Sequence, residues 1–156
     1  MCYNMSDPRK YETSNSIASA EEFKKYFSKS KYPLNLDIAL PLHRWAIYFR
    51  GNSFKGIVNG ISEEEISKNH LLFQHINENR YRFLKDTVIQ EVYYRNGDEF
   101  RLEEVDFKTI LEFAEIIKDH INIHSGTRVS FFSWDASFYN RLNREEYNEI
   151  LGALGK

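Results

Sequence analysis

The stretch R-W-A-I-Y-F-R-G-N-S-F-K-G-I-V, Arg44 to Val58, decides the fold. Trp45, Ile47 and Phe49 alternate with Arg44, Ala46, Tyr48 and Arg50, the period-two pattern of a β-strand. Gly51 and Asn52, two residues that tolerate positive φ, come next, and Phe54 to Val58 reads as a returning strand. So short a turn joins antiparallel neighbours, since parallel pairing needs a crossover of about a dozen residues or more. The spacing predicts a hairpin, and with it an antiparallel sheet.

Outward from this hairpin the pattern repeats. Arg80 to Leu84, Thr87 to Arg95 and Glu99 to Val105 read as strands, the last two joined around Asn96, Gly97 and Asp98. A two-residue Asn-Gly loop has the stronger turn chemistry. A three-residue loop instead pairs Tyr94 with Phe100, Val92 with Leu102 and Arg95 with Glu99; it keeps apolar side chains together and is the expected register. Arg128 to Trp134 reads as a final strand after the turn at Ser125 and Gly126. Leu34, Leu36, Ile38 and Leu40 alternate as well, but Pro41 limits them to an edge strand or an extended segment.

Helices announce themselves by their caps. Ser19 with Glu22 and Ser62 with Glu65 are S-x-x-E boxes, the first opening a helix over Ala20 to Lys29, the second stapled by Ile61 and Ile66. Asp106 caps Phe107 to His120, and Phe107, Ile110, Leu111, Ala114, Ile117 and Ile121 make one apolar stripe. Asn143 with Glu146 opens the last helix, with Leu142 and Tyr147 as its staple. The expected class is α+β: a mainly antiparallel sheet of about five to six strands with helices packed on one face. Residues 1–18 read by composition as an N-terminal arm, with Tyr3, Tyr11 and Ile17 the side chains that would tie it down, and residues 19–156 as a single domain.

Aromatic residues make up 15% of the 156, as 12 Phe, 10 Tyr and 2 Trp, more than helix stripes and strand pairs absorb. Tyr and Trp suit surfaces where one end of a side chain is buried and the other wet. The balance of 21 Lys and Arg against 23 Asp and Glu argues against an anionic membrane or nucleic acid as partner. A single cysteine, Cys2, and a polar start lead to the expectation of a cytoplasmic protein.

Reaction chemistry is harder to find. His120 and His124 have the i, i+4 spacing of metal ligands, but they fall where a helix ends, and His there is favoured by the helix dipole alone. His70 and His75 are five apart and belong to different faces of a helix, as surface or rim residues. Asp86 with Glu91, and Glu103 with Glu104, are paired acids at turns and strand ends, where solvation is the ordinary state. The glycines make no phosphate-binding motif and no nucleophile elbow is present, so neither catalysis nor a cofactor is expected.

Two binding surfaces remain. Arg80 to Arg101 interleaves Tyr81, Phe83, Tyr93, Tyr94 and Phe100 with five basic residues, the make-up of an RNA-stacking platform, although four acidic residues leave it nearly neutral. The favoured candidate joins aromatic anchors Trp134, Phe138 and Tyr139, with Asp135, to the acidic turns at Glu145, Glu146 and Glu149 and at Glu63 and Glu64. Anchors inside an acidic rim fit a basic protein surface.

The stretches R-W-A-I-Y-F-R-G-N-S-F-K-G, Arg44 to Gly56, and S-F-F-S-W-D, Ser130 to Asp135, give the chain a texture that resembles the immunity proteins of bacterial contact-dependent and other polymorphic toxin systems. The resemblance implies a small non-enzymatic inhibitor, needing no cofactor, that binds a cognate toxin domain and occludes its active site or holds it inactive. It assigns no role to any single residue.

Overall fold

The computed structural model describes residues 5–27, 30–132 and 142–155. The described residues form four helices and nine strands: α1 (Ala20–Lys24), β1 (Ile38–Pro41), β2 (Arg44–Arg50), β3 (Ser53–Val58), α2 (Glu63–Lys68), β4 (Phe73–Asn77), β5 (Arg80–Phe83), β6 (Thr87–Ile89), β7 (Val92–Tyr94), β8 (Glu99–Glu104), α3 (Phe107–His120), β9 (Val129–Phe132) and α4 (Arg144–Ala153). The class is α+β, and its main element is an antiparallel sheet of five strands in the order β3-β2-β8-β5-β4.

The chain divides into two compact units. Of the described residues, one comprises 5, 17–27, 30–43, 104–132 and 142–155, the other 6–16 and 44–103.

In the first unit α3 buries Ile110, Ala114 and Ile117 of the predicted stripe together with Phe113 and Ile116, while Phe107 and Leu111 are half-buried. Phe23 of α1 stacks on Phe113 at 4.2 Å between ring centroids. α1 stops at Lys24, shorter than the helix expected over Ala20 to Lys29. β9 does not join the antiparallel sheet: it pairs in parallel with β1, Ile38 opposite Val129 and Leu40 opposite Phe131. α4 begins where expected, with Asn143 Oδ1 accepting from Glu145 N and Glu146 N and the Glu146 carboxylate accepting from Asn143 N.

The second unit is built on the five-stranded sheet. The predicted hairpin is present, with Arg50 opposite Ser53 and both turn residues, Gly51 and Asn52, at positive φ. The register expected around Gly97 is not. β7 pairs with β6, placing Val88 opposite Tyr93 and Ile89 opposite Val92, while β8 pairs with β5, Tyr81 opposite Phe100. The chain reverses at Gln90 and Glu91, with φ of 50° and 65°, a conformation that side chains other than Gly and Asn adopt at a cost.

The two faces of the sheet are unlike. Ala46, Tyr48, Tyr81, Phe83 and Phe100 pack on one, together with Tyr94 and with Ile61 and Ile66 around α2. Alternation puts Trp45, Phe49, Arg80, Arg82, Glu99, Arg101 and Glu103 on the other. Residues 6–16 lie over part of that face, at Phe49, Arg80, Glu99, Arg101 and Glu103, while Arg82 stays exposed. Arg101, fully buried, donates from Nη1 to the Lys10 carbonyl at 2.8 Å, from Nη2 to the Pro8 carbonyl at 2.9 Å and from Nε to Glu103 at 2.6 Å. Glu103 also accepts from Ser16 N and Oγ and from Trp45 Nε1. Arg80 lies 4.0 Å over the Tyr11 ring, and the Tyr11 hydroxyl donates to Glu99 at 2.6 Å. Part of the predicted arm is thus held by buried charge.

Candidate protein-interaction surface

α2 is short, and its position is set at its first turn. Ser62 Oγ accepts from Glu65 N at 3.1 Å, while the Glu65 carboxylate accepts from Ser62 N at 2.9 Å, so two of the free backbone donors at the helix start are satisfied. Ile61 and Ile66 are buried on the aromatic face of the sheet, the staple the sequence predicts. Held this way, the helix is flanked by two clefts. One of about 320 Å³ is lined by Glu63, Ser67, His70 and His75 over Ile66, Phe73 and Tyr81. The other, of about 330 Å³, lies between α2 and the β6–β7 hairpin, with Glu65, Asn69 and Leu72 on one side and Thr87, Val88 and Gln90 on the other.

Large apolar side chains stand exposed on the same segments. Leu71 is 74% exposed, Val88 63% and Tyr93 50%, and Leu84 is also exposed. Val88 and Tyr93 are cross-strand partners, so they share the outer face of the hairpin, while Tyr94 on its inner face is buried against Phe83 and Phe100. Leu84 N donates to the Leu72 carbonyl at 2.8 Å, which ties the end of β5 to the loop that carries Leu71.

Polar contacts position this surface. The Tyr81 hydroxyl donates to Glu63 Oε1 at 2.9 Å; burial, with that carboxylate beside it, pushes the phenol up to about 12. Tyr93 donates to Asp86, which also accepts from Asn96 N at 2.8 Å, and these bonds hold the Asp86 carboxyl below its ordinary range. Asp98, nearly fully buried, accepts from Tyr48 Oη at 2.6 Å, Arg50 Nη2 at 2.8 Å and Arg95 N at 2.8 Å, which anchors both ends of the turn after β7. Burial raises the Asp98 pKa, but the bonds outweigh it and the net shift is downward.

The sequence-predicted residues part company here. Glu63 and Glu64 belong to this surface, Glu63 bonded to Tyr81 and Glu64 paired with Lys68 one turn on. Glu145 and Glu149 are exposed on α4, in the first unit, and Glu146 is taken up by its cap. Trp134, Asp135, Phe138 and Tyr139 lie outside the described residues. Of the proposed stacking platform, Tyr81, Phe83, Tyr94 and Phe100 are core, and Arg80 and Arg101 are buried, so six of its members are unavailable to a nucleic acid. His120 Nδ1 donates to the Ile116 carbonyl at 2.7 Å and His124 Nδ1 accepts from Gly126 N, both within the local backbone. Glu103 is the carboxylate of the buried ion pair, and Glu91 sits in the β6–β7 turn. Among the described residues no three His, Cys, Asp or Glu side chains converge as a metal site requires.

The cleft at Glu63 was missed. Its signal is split: Glu63 and Ser67 come from α2, His70 from the loop, His75 from β4 and Tyr81 from β5. Sequence spacing on one helix cannot show such a convergence.

Compared with family models, curated proteins and solved structures, the chain matches none. No helix among the described residues is long and apolar enough to cross a membrane.

Proposed function

We propose that the chain is a non-enzymatic protein-binding module, an immunity protein that binds and neutralises a cognate bacterial toxin domain in the cytoplasm. The observation that carries this reading is the exposed apolar set Leu71, Leu84, Val88 and Tyr93, of which Val88 lines one cleft with Glu65 of the acidic first turn of α2. Rigid aromatic and aliphatic anchors next to carboxylates suit a partner with a basic surface. The titratable groups that meet elsewhere serve the fold: Glu103 is held by Arg101, and Asp98 by Tyr48 and Arg50. Inhibition would then come from occupying the toxin's surface, with no cofactor and no bond made or broken.

Co-expression with toxin domains encoded beside the gene tests this. Growth should be restored and a stable complex recovered, and Val88→Asp with Tyr93→Asp should weaken that complex about 100-fold or more, since interface anchors carry 2 kcal/mol or more each. Failure to bind any neighbouring product would sink the reading.

A further inference from the structure

Three consecutive glutamates open α2, and they are differently engaged. Glu65 closes the capping box on Ser62, and Glu64 pairs with Lys68. Glu63 alone lines the cleft of about 320 Å³, and among the described residues no lysine or arginine pairs with it. Its Oε1 accepts from the Tyr81 hydroxyl at 2.9 Å, which orients the carboxylate and leaves Oε2 for another donor. The floor is buried Ile66, Phe73 and Tyr81; the rim is exposed Glu63, Ser67, His70 and His75. The His75 ring lies 4.9 Å from that of Tyr81, and its Nε2 is 3.0 Å from the Glu78 carbonyl, so this wall is fixed from below.

We propose that this cleft receives a basic side chain, an arginine or lysine presented by the protein partner, bonded by the Glu63 carboxylate and seated against the rings of Tyr81 and Phe73. The inference rests on the protein-binding reading and names the chemistry it would recognise. A carboxylate at the mouth of a pocket floored by buried apolar side chains matches a guanidinium or ammonium by charge-assisted hydrogen bonding, with the aliphatic stem of the incoming side chain against the floor. An anion would meet Glu63 unfavourably. A metal would need ligands the cleft does not bring together. The volume accommodates one long side chain and excludes a folded segment.

The intact protein is titrated with N-acetyl-arginine amide and, in parallel, with its neutral isostere N-acetyl-citrulline amide, following the NMR signals of Tyr81, His70 and His75. Saturable shifts of these three are expected with arginine, with citrulline at least about tenfold weaker. Glu63→Gln should lower the arginine affinity about tenfold or more, and Tyr81→Phe, which keeps the ring and loses the orienting hydroxyl, by less. Glu63 is exposed, so the amide spectrum of Glu63→Gln should otherwise match the wild type. Equal binding of the two probes, an unchanged affinity in Glu63→Gln, or shifts confined to other residues would overturn the cleft. Arginine binding without any toxin complex would overturn the partner as its source, and a toxin complex indifferent to Glu63→Gln would overturn the cleft while leaving the partner reading intact.

Discussion

The two faces of the five-stranded sheet are covered by opposite means. On one, Tyr48, Phe73, Phe83, Tyr94 and Phe100 interlock with ring centroids 4.7–6.4 Å apart under α2 and the β6–β7 hairpin. On the other, Arg101 and Glu103 are fully buried, and residues 6–16 supply backbone carbonyls and the Ser16 hydroxyl as partners. Arg80 and Arg101 are even directly opposite each other across β5 and β8, a like-charge pairing that is unfavourable by itself. It is tolerated because Glu103, three carbonyls and the rings of Tyr11 and Phe49 surround the two guanidiniums. An aromatic face gains from burial whatever its detail. A charged face gains only when every partner is in place.

That difference should be sharpest on removal of a single group. Arg101→Ala is expected to have the largest effect, about 5 kcal/mol, because it leaves the buried Glu103 carboxylate without its counter-charge and frees the carbonyls of Pro8, Lys10 and Tyr11. Adding Glu103→Gln to it should recover part of the loss, as read from urea midpoints. Recovery of nothing would mean that the pair is not coupled. On the aromatic face Phe100→Ala should cost about 3–5 kcal/mol as a cavity, with no comparable rescue by a second truncation.

pH separates the faces further. Asp98 is not part of the Arg101–Glu103 pair and makes its own with Arg50; burial raises its carboxyl, but the bonds from Arg50, Arg95 N and Tyr48 hold it below the ordinary 3.8. A lowered pKa stabilises the fold in full above that ordinary value and less as pH falls through the folded one. The wild type should therefore lose more stability than Asp98→Asn as pH falls from about 5 to below that ordinary value. Parallel urea curves for the two proteins across that window would contradict the assignment. The smallest change expected is a gain. Tyr94 Oη is buried with no bonding partner among the described residues, so Tyr94→Phe should be neutral or stabilising by about 1 kcal/mol. A loss above that would show the hydroxyl to be satisfied.

Legibility followed the same divide. Local signals read correctly: Gly51–Asn52 as a hairpin turn, Ser62 with Glu65 and Asn143 with Glu146 as capping boxes, and Asp106 as the cap of α3. Each lies within a few residues of what it organises. The β6–β7 reversal was hidden because Gln90 and Glu91 carry no turn signature. β4 was hidden because Gln74, His75 and Asn77 lack apolar alternation on an edge strand. Charge misled most. Glu103 read as solvated and Arg101 as part of a stacking platform, yet their partners come from Pro8, Lys10, Tyr11 and Ser16, some ninety residues away in the chain. The candidate surface was half legible. The acidic turn at Glu63 and Glu64 was in view, but the cleft beside it draws on four separate segments, and the exposure of Val88 and Tyr93 depends on a reversal the pattern does not show.

The most direct test of the proposed binding surface is hydrogen exchange on any complex that forms with a candidate toxin domain encoded beside the gene. Added protection is expected at residues 61–73 and 84–93, around α2 and the outer face of the β6–β7 hairpin, with residues 6–16 on the charged face unchanged. Protection centred on residues 6–16, or none at α2 and the hairpin in a complex that forms, would contradict this assignment of the binding surface.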